Sequence, residues 1–152
     1  MIRWATPEDA ALLADVFFRS VREGDSPYTQ AQRIAWMPKA PETGPFAQRL
    51  AQKDCVLKEV AGEPVGFMTV EPGGYVDLAF ILPGYRGQGI FRALYAAIED
   101  RARDTGERRL HTHASLMAEP AFRTVGFQVI QHETVGRAGE LLRRAEMEKV
   151  LT

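Results

Sequence analysis

The stretch Pro83-Gly84-Tyr85-Arg86-Gly87-Gln88-Gly89-Ile90-Phe91-Arg92 decides how the rest of the chain is read. Before it stands Leu78 to Leu82, a short apolar run closed by Pro83-Gly84, which reads as the end of a strand. After it, Ile90, Ala93, Leu94, Ala97, Ile98 and Ala102 fall at helical spacing, with Arg92, Glu99, Asp100, Arg103 and Asp104 off the stripe. A glycine turn between strand and helix gathers backbone N–H groups and the positive end of the helix dipole at one point. That is a physical anion site, suited to phosphate or pyrophosphate. Gly87 and Gly89 let the backbone approach an anion with no Cβ in the way, and Arg86 and Arg92 could add charge-assisted hydrogen bonds. On spacing alone the same glycines serve a tight turn equally well. The arginines and the following helix favour the anion.

Two familiar phosphate motifs fail here. Gly84 and Gly89 have the glycine spacing of a nucleotide-hydrolase loop, but Ile90-Phe91 stand where Lys and Ser/Thr are required. Gly87 and Gly89 begin a dinucleotide fingerprint, but Arg92 takes the place of its third glycine.

Outward from this turn, the chain reads as a mixture of both element types. Upstream, Cys55 to Val60 and Val65 to Val70 flank Ala61-Gly62-Glu63-Pro64, and Glu71-Pro72-Gly73-Gly74 leads into Tyr75 to Leu82. Three strands with short turns predict an antiparallel meander. Further upstream, Met1 to Ala5 reads as a strand, and Thr6-Pro7-Glu8-Asp9 starts a helix that buries Leu13, Val16, Phe17 and Val21. Thr29-Gln30-Ala31-Gln32 predicts a capping box for a second helix, stopped by Pro38, and Phe46 to Gln52 a third helical piece.

Downstream, Gly106 caps the crossover helix, Leu110 to Ala114 reads as a strand, Leu116 to Val125 as a short helix and Phe127 to Val135 as a strand. Residues 140–151 are rich in helix formers, but Gly136-Arg137-Ala138-Gly139 looks like a hairpin turn, so a final strand is expected. The helix between Leu82 and Leu110 should set the strands on either side of it parallel and adjacent.

Composition narrows the function classes. With 152 residues the chain suits one domain, which buries about two-thirds of the unfolded surface. Nineteen basic against twenty acidic residues leave a formal charge of −1, which argues against a nucleic-acid-binding module. Cys55 is the single cysteine, so no intrachain disulfide or multi-cysteine zinc site forms and a reducing cytoplasm is allowed. Wholly apolar runs such as Leu78 to Leu82 are far short of a membrane span, and no secretory signal precedes them. A cytoplasmic protein with no membrane or nucleic-acid partner is expected.

At two places the sequence resembles the GNAT N-acetyltransferase superfamily. Arg86-Gly87-Gln88-Gly89-Ile90-Phe91 fits the family's acetyl-CoA loop, Arg/Gln-x-x-Gly-x-Gly/Ala, except at its last position. Ser115 to Phe127 resembles the family's Asn-x-x-Ala-x-x-x-Tyr-x-x-x-Gly-Phe segment, closest to members with Ala-Ser-x-x-Ala, here Ala114-Ser115 and Ala118. The order of elements agrees from end to end. The resemblance implies one GNAT domain over 1–152, in a mixed α+β fold. It also implies a mostly antiparallel sheet of six or seven strands with about four helices and a central parallel splay.

It further implies an acetyl-CoA-dependent N-acetyltransferase with no metal, acting on a small-molecule or peptide amine. Dimers are frequent in the family, which leaves a homodimer open. Pantetheine would lie in the splay beside Phe80, Ile81 and Leu82, with the thioester carbonyl facing a backbone N–H near Ile81. Pyrophosphate would sit on the N–H groups from Arg86 through Gly87, Gln88, Gly89 and Ile90 to Phe91, beside Arg92. Three positions depart from the family: Phe91 replaces a small residue, Ser115 an Asn, and Phe122 the Tyr thought to protonate the leaving thiolate. A phenyl ring cannot donate a proton, but a thiol of pKa about 8.5 leaves tolerably as its anion.

Because a protonated amine is no nucleophile, a base is needed. Asp77, three residues before Phe80, matches the base position of some family members; its alternative is a solvent-facing or turn-stabilising carboxylate, and Glu71 is a weaker candidate. His111 and His113 share one face of their strand, and His113 near the cleft could relay protons or simply be packed. Two histidines without a third ligand make no metal site. By resemblance Tyr28, Trp36, Met37 and Phe46 cover the acceptor side, as pocket lining or as ordinary core, and Cys55 reads as buried rather than nucleophilic. The expected function is amine acetylation by direct attack, the rival a GNAT-fold module that binds acyl-CoA without catalysis.

Overall fold

A computed structural model describes residues 1–152. The amino-terminal part forms β1 (Ile2–Trp4), α1 (Ala10–Arg22), α2 (Gln30–Trp36) and α3 (Thr43–Ala51). The first expected start, at Thr6-Pro7, opens a 3-10 turn over Pro7–Asp9 that leads into α1, and the second, at Thr29, caps α2 directly; at both, side chains close orphan N–H groups. Thr6 N–H donates to Asp9 Oδ2 at 2.7 Å, and at α2 Gln32 N–H donates to Thr29 Oγ1 at 3.1 Å while Thr29 N–H donates to Gln32 Oε1 at 2.8 Å. The third helix begins three residues earlier than Phe46, because Pro45 fits the first turn of a helix without losing a bond.

β2 (Asp54–Val60) and β3 (Glu63–Val70) form the expected hairpin, turned through Ala61 and Gly62, both at positive φ. The strand expected over Tyr75–Leu82 is two: β4 (Tyr75–Val76) and β5 (Ala79–Ile81). α4 (Ile90–Asp104) crosses over to β6 (Arg109–Ser115) and ends with Gly106 at φ 85°. The helix expected over Leu116–Val125 is confined to α5 (Glu119–Thr124), and β7 (Gln128–Arg137) and β8 (Glu140–Val150) complete the chain. The last segment is a strand despite its helix formers, since antiparallel pairing to both β6 and β7 buries Leu142, Ala145 and Met147.

The expected mixed α+β architecture is present, as two four-stranded sheets in the orders β1-β2-β3-β5 and β4-β6-β8-β7. β4 runs parallel to β6, with Tyr75 opposite His111 and Val76 opposite Thr112. Two residues later β5 has left β6 and pairs antiparallel with β3, Phe80 opposite Phe67. The sheets therefore part between β5 and the end of β6. α1 and α4 seal the core, whose fully buried members include Leu13, Phe67, Leu94, Ile98, Phe122 and Met147. Each such side chain contributes about 1.5–3 kcal/mol of burial. No helix is long and apolar enough to cross a membrane.

Candidate active site

The splay leaves backbone groups facing one another across an open cleft. Thr69 N–H donates to Leu78 O, and Leu82 N–H to Val65 O, both at 2.9 Å, so the even positions of this segment bond to β3. Alternation then turns the N–H and C=O of Ala79 and Ile81 toward the splay. On the opposite edge His111 N–H donates to Gly74 O, which turns the main chain of His113 and Ser115 the same way. Of Phe80, Ile81 and Leu82, only Ile81 turns its backbone to the cleft, and there its C=O already accepts from Arg86 Nε at 3.2 Å. Ala79 joins it, unforeseen because the alternation depends on pairing with β3.

At the end of the cleft lies the glycine turn. Gly87 and Gly89 have φ of 74° and 81°, a region other residues enter at a cost of about 1–2 kcal/mol. Gly89 caps α4, whose first turn carries no acidic residue. The first helical bond is Ala93 N–H to Gly89 O, and no backbone N–H from Gly87 to Arg92 has an acceptor within the protein. A row of free donors at a helix start fits a diphosphate. Arg86 contributes differently from expectation. Its guanidinium turns away to donate to Ser20 O at 2.8 Å, Asp25 O at 3.2 Å and Ile81 O at 3.2 Å. Burial, with Arg33 adding repulsion, lowers its pKa. It holds the turn against the end of α1. Arg92 reaches Thr124 O at 3.4 Å, and Gln88 Nε2 reaches Gly84 O at 3.3 Å.

Two cavities meet at the splay. One, of about 410 Å³, follows the glycine turn and is lined by Ile81, Tyr85, Gly87, Gly89, Phe91 and Pro120. The other, of about 360 Å³, has an apolar wall of Phe17, Trp36, Met37 and Phe80 and carries Arg49, Asp77, His113 and Arg137. Ala79, Phe80, Ser115 and Ala118 line both, so the cavities adjoin.

Asp77, at the break between β4 and β5, enters the second cavity. It is not a free carboxylate: Arg49 donates to its Oδ2 at 2.9 Å and Lys53 lies 3.6 Å away. His113 also lines this cavity, with Nδ1 2.9 Å from the Tyr75 hydroxyl and Nε2 3.7 Å from Glu133, which Arg144 in turn contacts at 2.6 Å. Burial, with Asp77 nearby, raises the Tyr75 pKa.

The other sequence candidates divide. Trp36 and Met37 line the second cavity, whereas Phe46 is core, its ring 6.0 Å from Phe17. Tyr28 holds the segment after β6, accepting from Leu116 N–H at 2.9 Å and donating to Arg143 O. Ser115 Oγ accepts from Ala118 N–H at 3.2 Å and so shapes the start of the next turn. Phe122 is buried against Phe91 and Phe127, with its ring at the cavity wall. Glu71 is paired with Lys53 outside the cavity, and no cluster able to hold a metal ion is present. Cys55 is buried, which pushes its thiol up to about 12. Arg49 goes unread in the sequence, and Phe17 and Arg137 read there only as helix core and hairpin turn, since what brings all three to the cavity is the folding of distant elements around it.

This arrangement agrees with a family model, the acetyltransferase (GNAT) domain, which matches residues 25–151.

The chain belongs to the GNAT acetyltransferase family.

Among its GNAT relatives, the uncharacterized N-acetyltransferase YafP of Escherichia coli is 28% identical, with 88% of this chain and 85% of the relative aligned. An aminoglycoside N(6')-acetyltransferase type 1 of Stenotrophomonas maltophilia is 32% identical, covering 84% of this chain and 85% of that protein. A solved GCN5-related N-acetyltransferase from Rhodopseudomonas palustris superposes with a TM-score of 0.91 at 31% identity, over 99% of this chain and 95% of that one. A GNAT phosphinothricin acetyltransferase from Sinorhizobium meliloti, solved with acetyl-CoA, shares the fold with a TM-score of 0.76 at 20% identity, over 99% and 88% of the two chains. The protein is thus an acetyltransferase of the GNAT fold.

Proposed function

We propose that this acetyltransferase moves an acetyl group from acetyl-CoA to the primary amine of an acceptor held in the cavity beside Asp77. The observation that carries the reading is the unbroken row of free N–H groups from Gly87 to Arg92, opening on a cleft that adjoins a second cavity with an apolar wall. When bound, acetyl-CoA supplies an activated acyl carbon to which the amine nitrogen bonds directly as the carbon–sulfur bond breaks. The protein's own groups then have distinct tasks. The glycine turn holds the diphosphate by backbone donors and the α4 dipole. The inward main-chain groups of Ala79, Ile81, His113 and Ser115 align the pantetheine arm as a strand would be aligned, and Ile81 N–H points where negative charge develops on the carbonyl oxygen.

Asp77 accepts the amine's proton, directly or through water, and His113 offers a second path toward Tyr75 and Glu133. Phe122 supplies no proton, so the thiolate departs as the anion and is protonated from solvent. Supporting the choice of co-substrate, relatives of the same fold hold acetyl-CoA or coenzyme A in their solved structures.

The test is a panel of primary amines incubated with protein and acetyl-CoA, reading free thiol and acetylated amine together. Equimolar, amine-dependent appearance of both is expected. Binding of acetyl-CoA with no product from any amine would instead favour a non-catalytic acyl-CoA module.

A further inference from the structure

The charges around the acceptor cavity are one-sided. Its one carboxylate, Asp77, is matched by Arg49 at 2.9 Å and Lys53 at 3.6 Å. Arg137, an exposed residue at the end of β7, lines the same cavity, and while its backbone pairs with Glu140 its side chain makes no hydrogen bond or ion pair within the protein. It also lines an adjoining recess of about 100 Å³, together with Arg143, Arg144 and His113. Arg144 is engaged by Glu133, while Arg143 has no side-chain partner. The cavity thus carries one guanidinium without a counter-ion, that of Arg137, beside a wall of Phe17, Trp36, Met37 and Phe80.

We infer that the acceptor is an amino-acid-sized amine that itself carries a carboxylate, held by Arg137 at the mouth while its amine points to the splay. This rests on the acetyltransferase reading above and adds the chemistry of the acceptor. A guanidinium presents paired donors that match a carboxylate, and it binds such an anion more strongly than it binds a neutral group. A polycationic amine meets the opposite situation, since each further ammonium adds repulsion from Arg137, whereas the nearby carboxylates are already engaged by cations, Asp77 by Arg49, Glu71 by Lys53 and Glu133 by Arg144. The same cations disfavour the ammonium form of the bound amine, so they help expose the free base that reacts. The volume of about 360 Å³ and the aromatic wall suit an apolar side chain.

Matched probes separate the terms: leucine and phenylalanine, their amides, their decarboxylated amines, and spermidine. Turnover is followed by thiol release, and binding to the coenzyme-A-loaded protein by calorimetry. The acids should exceed the amides and simple amines by about tenfold or more in kcat/KM and in affinity, with spermidine poorest. Arg137→Gln should reduce that preference toward one by weakening the acids, and Arg137→Lys should restore part of it. Equal handling of acid and amide, a preference for spermidine, or no binding of any probe would overturn the inference. Acetylation of amides and simple amines as readily as acids would overturn it while sparing the acetyltransferase reading. Selective binding of the acids without acetylation would do the reverse.

Discussion

Phe91 and Phe122 meet edge to face, their ring centroids 5.0 Å apart at an interplanar angle of 88°. These are two of the three positions at which the chain departs from the family pattern, and they are in contact. A large ring where a small residue is usual needs space. The phenyl group at position 122, itself edge to face with Phe127 at 4.9 Å, offers an apolar surface to receive it. The glycine turn and the segment after β6 are thereby packed together on the cofactor side of the splay. Phe122→Ala should cost about 3–5 kcal/mol in chemical denaturation. With Phe91→Ala it should show a coupling of about 0.5–1.5 kcal/mol. Additive effects would mean that the two rings do not act as a unit.

Gly89 tests the diphosphate seat. A Cβ there meets no atom within 4 Å, so the penalty of a side chain is conformational, from φ 81°, about 1–2 kcal/mol. Relief of that strain would turn the neighbouring N–H groups out of line. Gly89→Val should therefore lower acetyl-CoA affinity at least tenfold by calorimetry. An unchanged dissociation constant would place the diphosphate elsewhere.

Asp77→Asn removes the proposed proton acceptor and leaves Arg49 and Lys53 without their shared partner. Turnover should fall, and fall most at lower pH, where the acceptor is mostly ammonium and a base matters most. A pH–rate profile identical to that of the unmodified protein would dismiss Asp77 as base.

Glu99 ties β8 to α4. Burial pushes its pKa up, but hydrogen bonds from Lys149, Tyr95 and Arg103 outweigh this and bring it to about 2, below the ordinary 4.5. A carboxyl depressed on folding stabilises the protein above its unfolded value and loses that contribution as pH falls through the folded one. Acid unfolding between pH of about 4.5 and 2 should therefore become shallower in Glu99→Gln, read by urea midpoints across that range. An unaltered slope would show the network to be energetically idle.

Cys55, with its thiol pushed up to about 12 by burial, should resist iodoacetamide at pH about 8 until denaturant is added. Labelling of the native protein would contradict the burial.

Local signals made much of this molecule legible. The caps at Thr6 and Thr29, the crossover stripe and the glycine turn are each set by residues a few positions apart, and their elements stand where those residues predict. What the chain order hides is the division of Tyr75–Leu82, because β4 and β5 differ in partner, not in residue type. The same blindness covers Ala79, whose importance lies in which way its backbone points. It also covers Arg86, whose charge suggested phosphate but whose guanidinium is engaged by the nearby Ile81 O and by two carbonyls, Ser20 O and Asp25 O, from a distant segment. Arg49 and Arg137 reach the acceptor cavity only through folding of α3 and β7 around it.

The most direct test of the whole arrangement is a crystal structure with coenzyme A bound. The diphosphate should accept hydrogen bonds from the N–H groups between Gly87 and Arg92, and the pantetheine arm should run between Ala79–Ile81 and His113–Ser115 toward Asp77. A cofactor bound on any other face, or with its diphosphate away from the α4 start, would contradict the account.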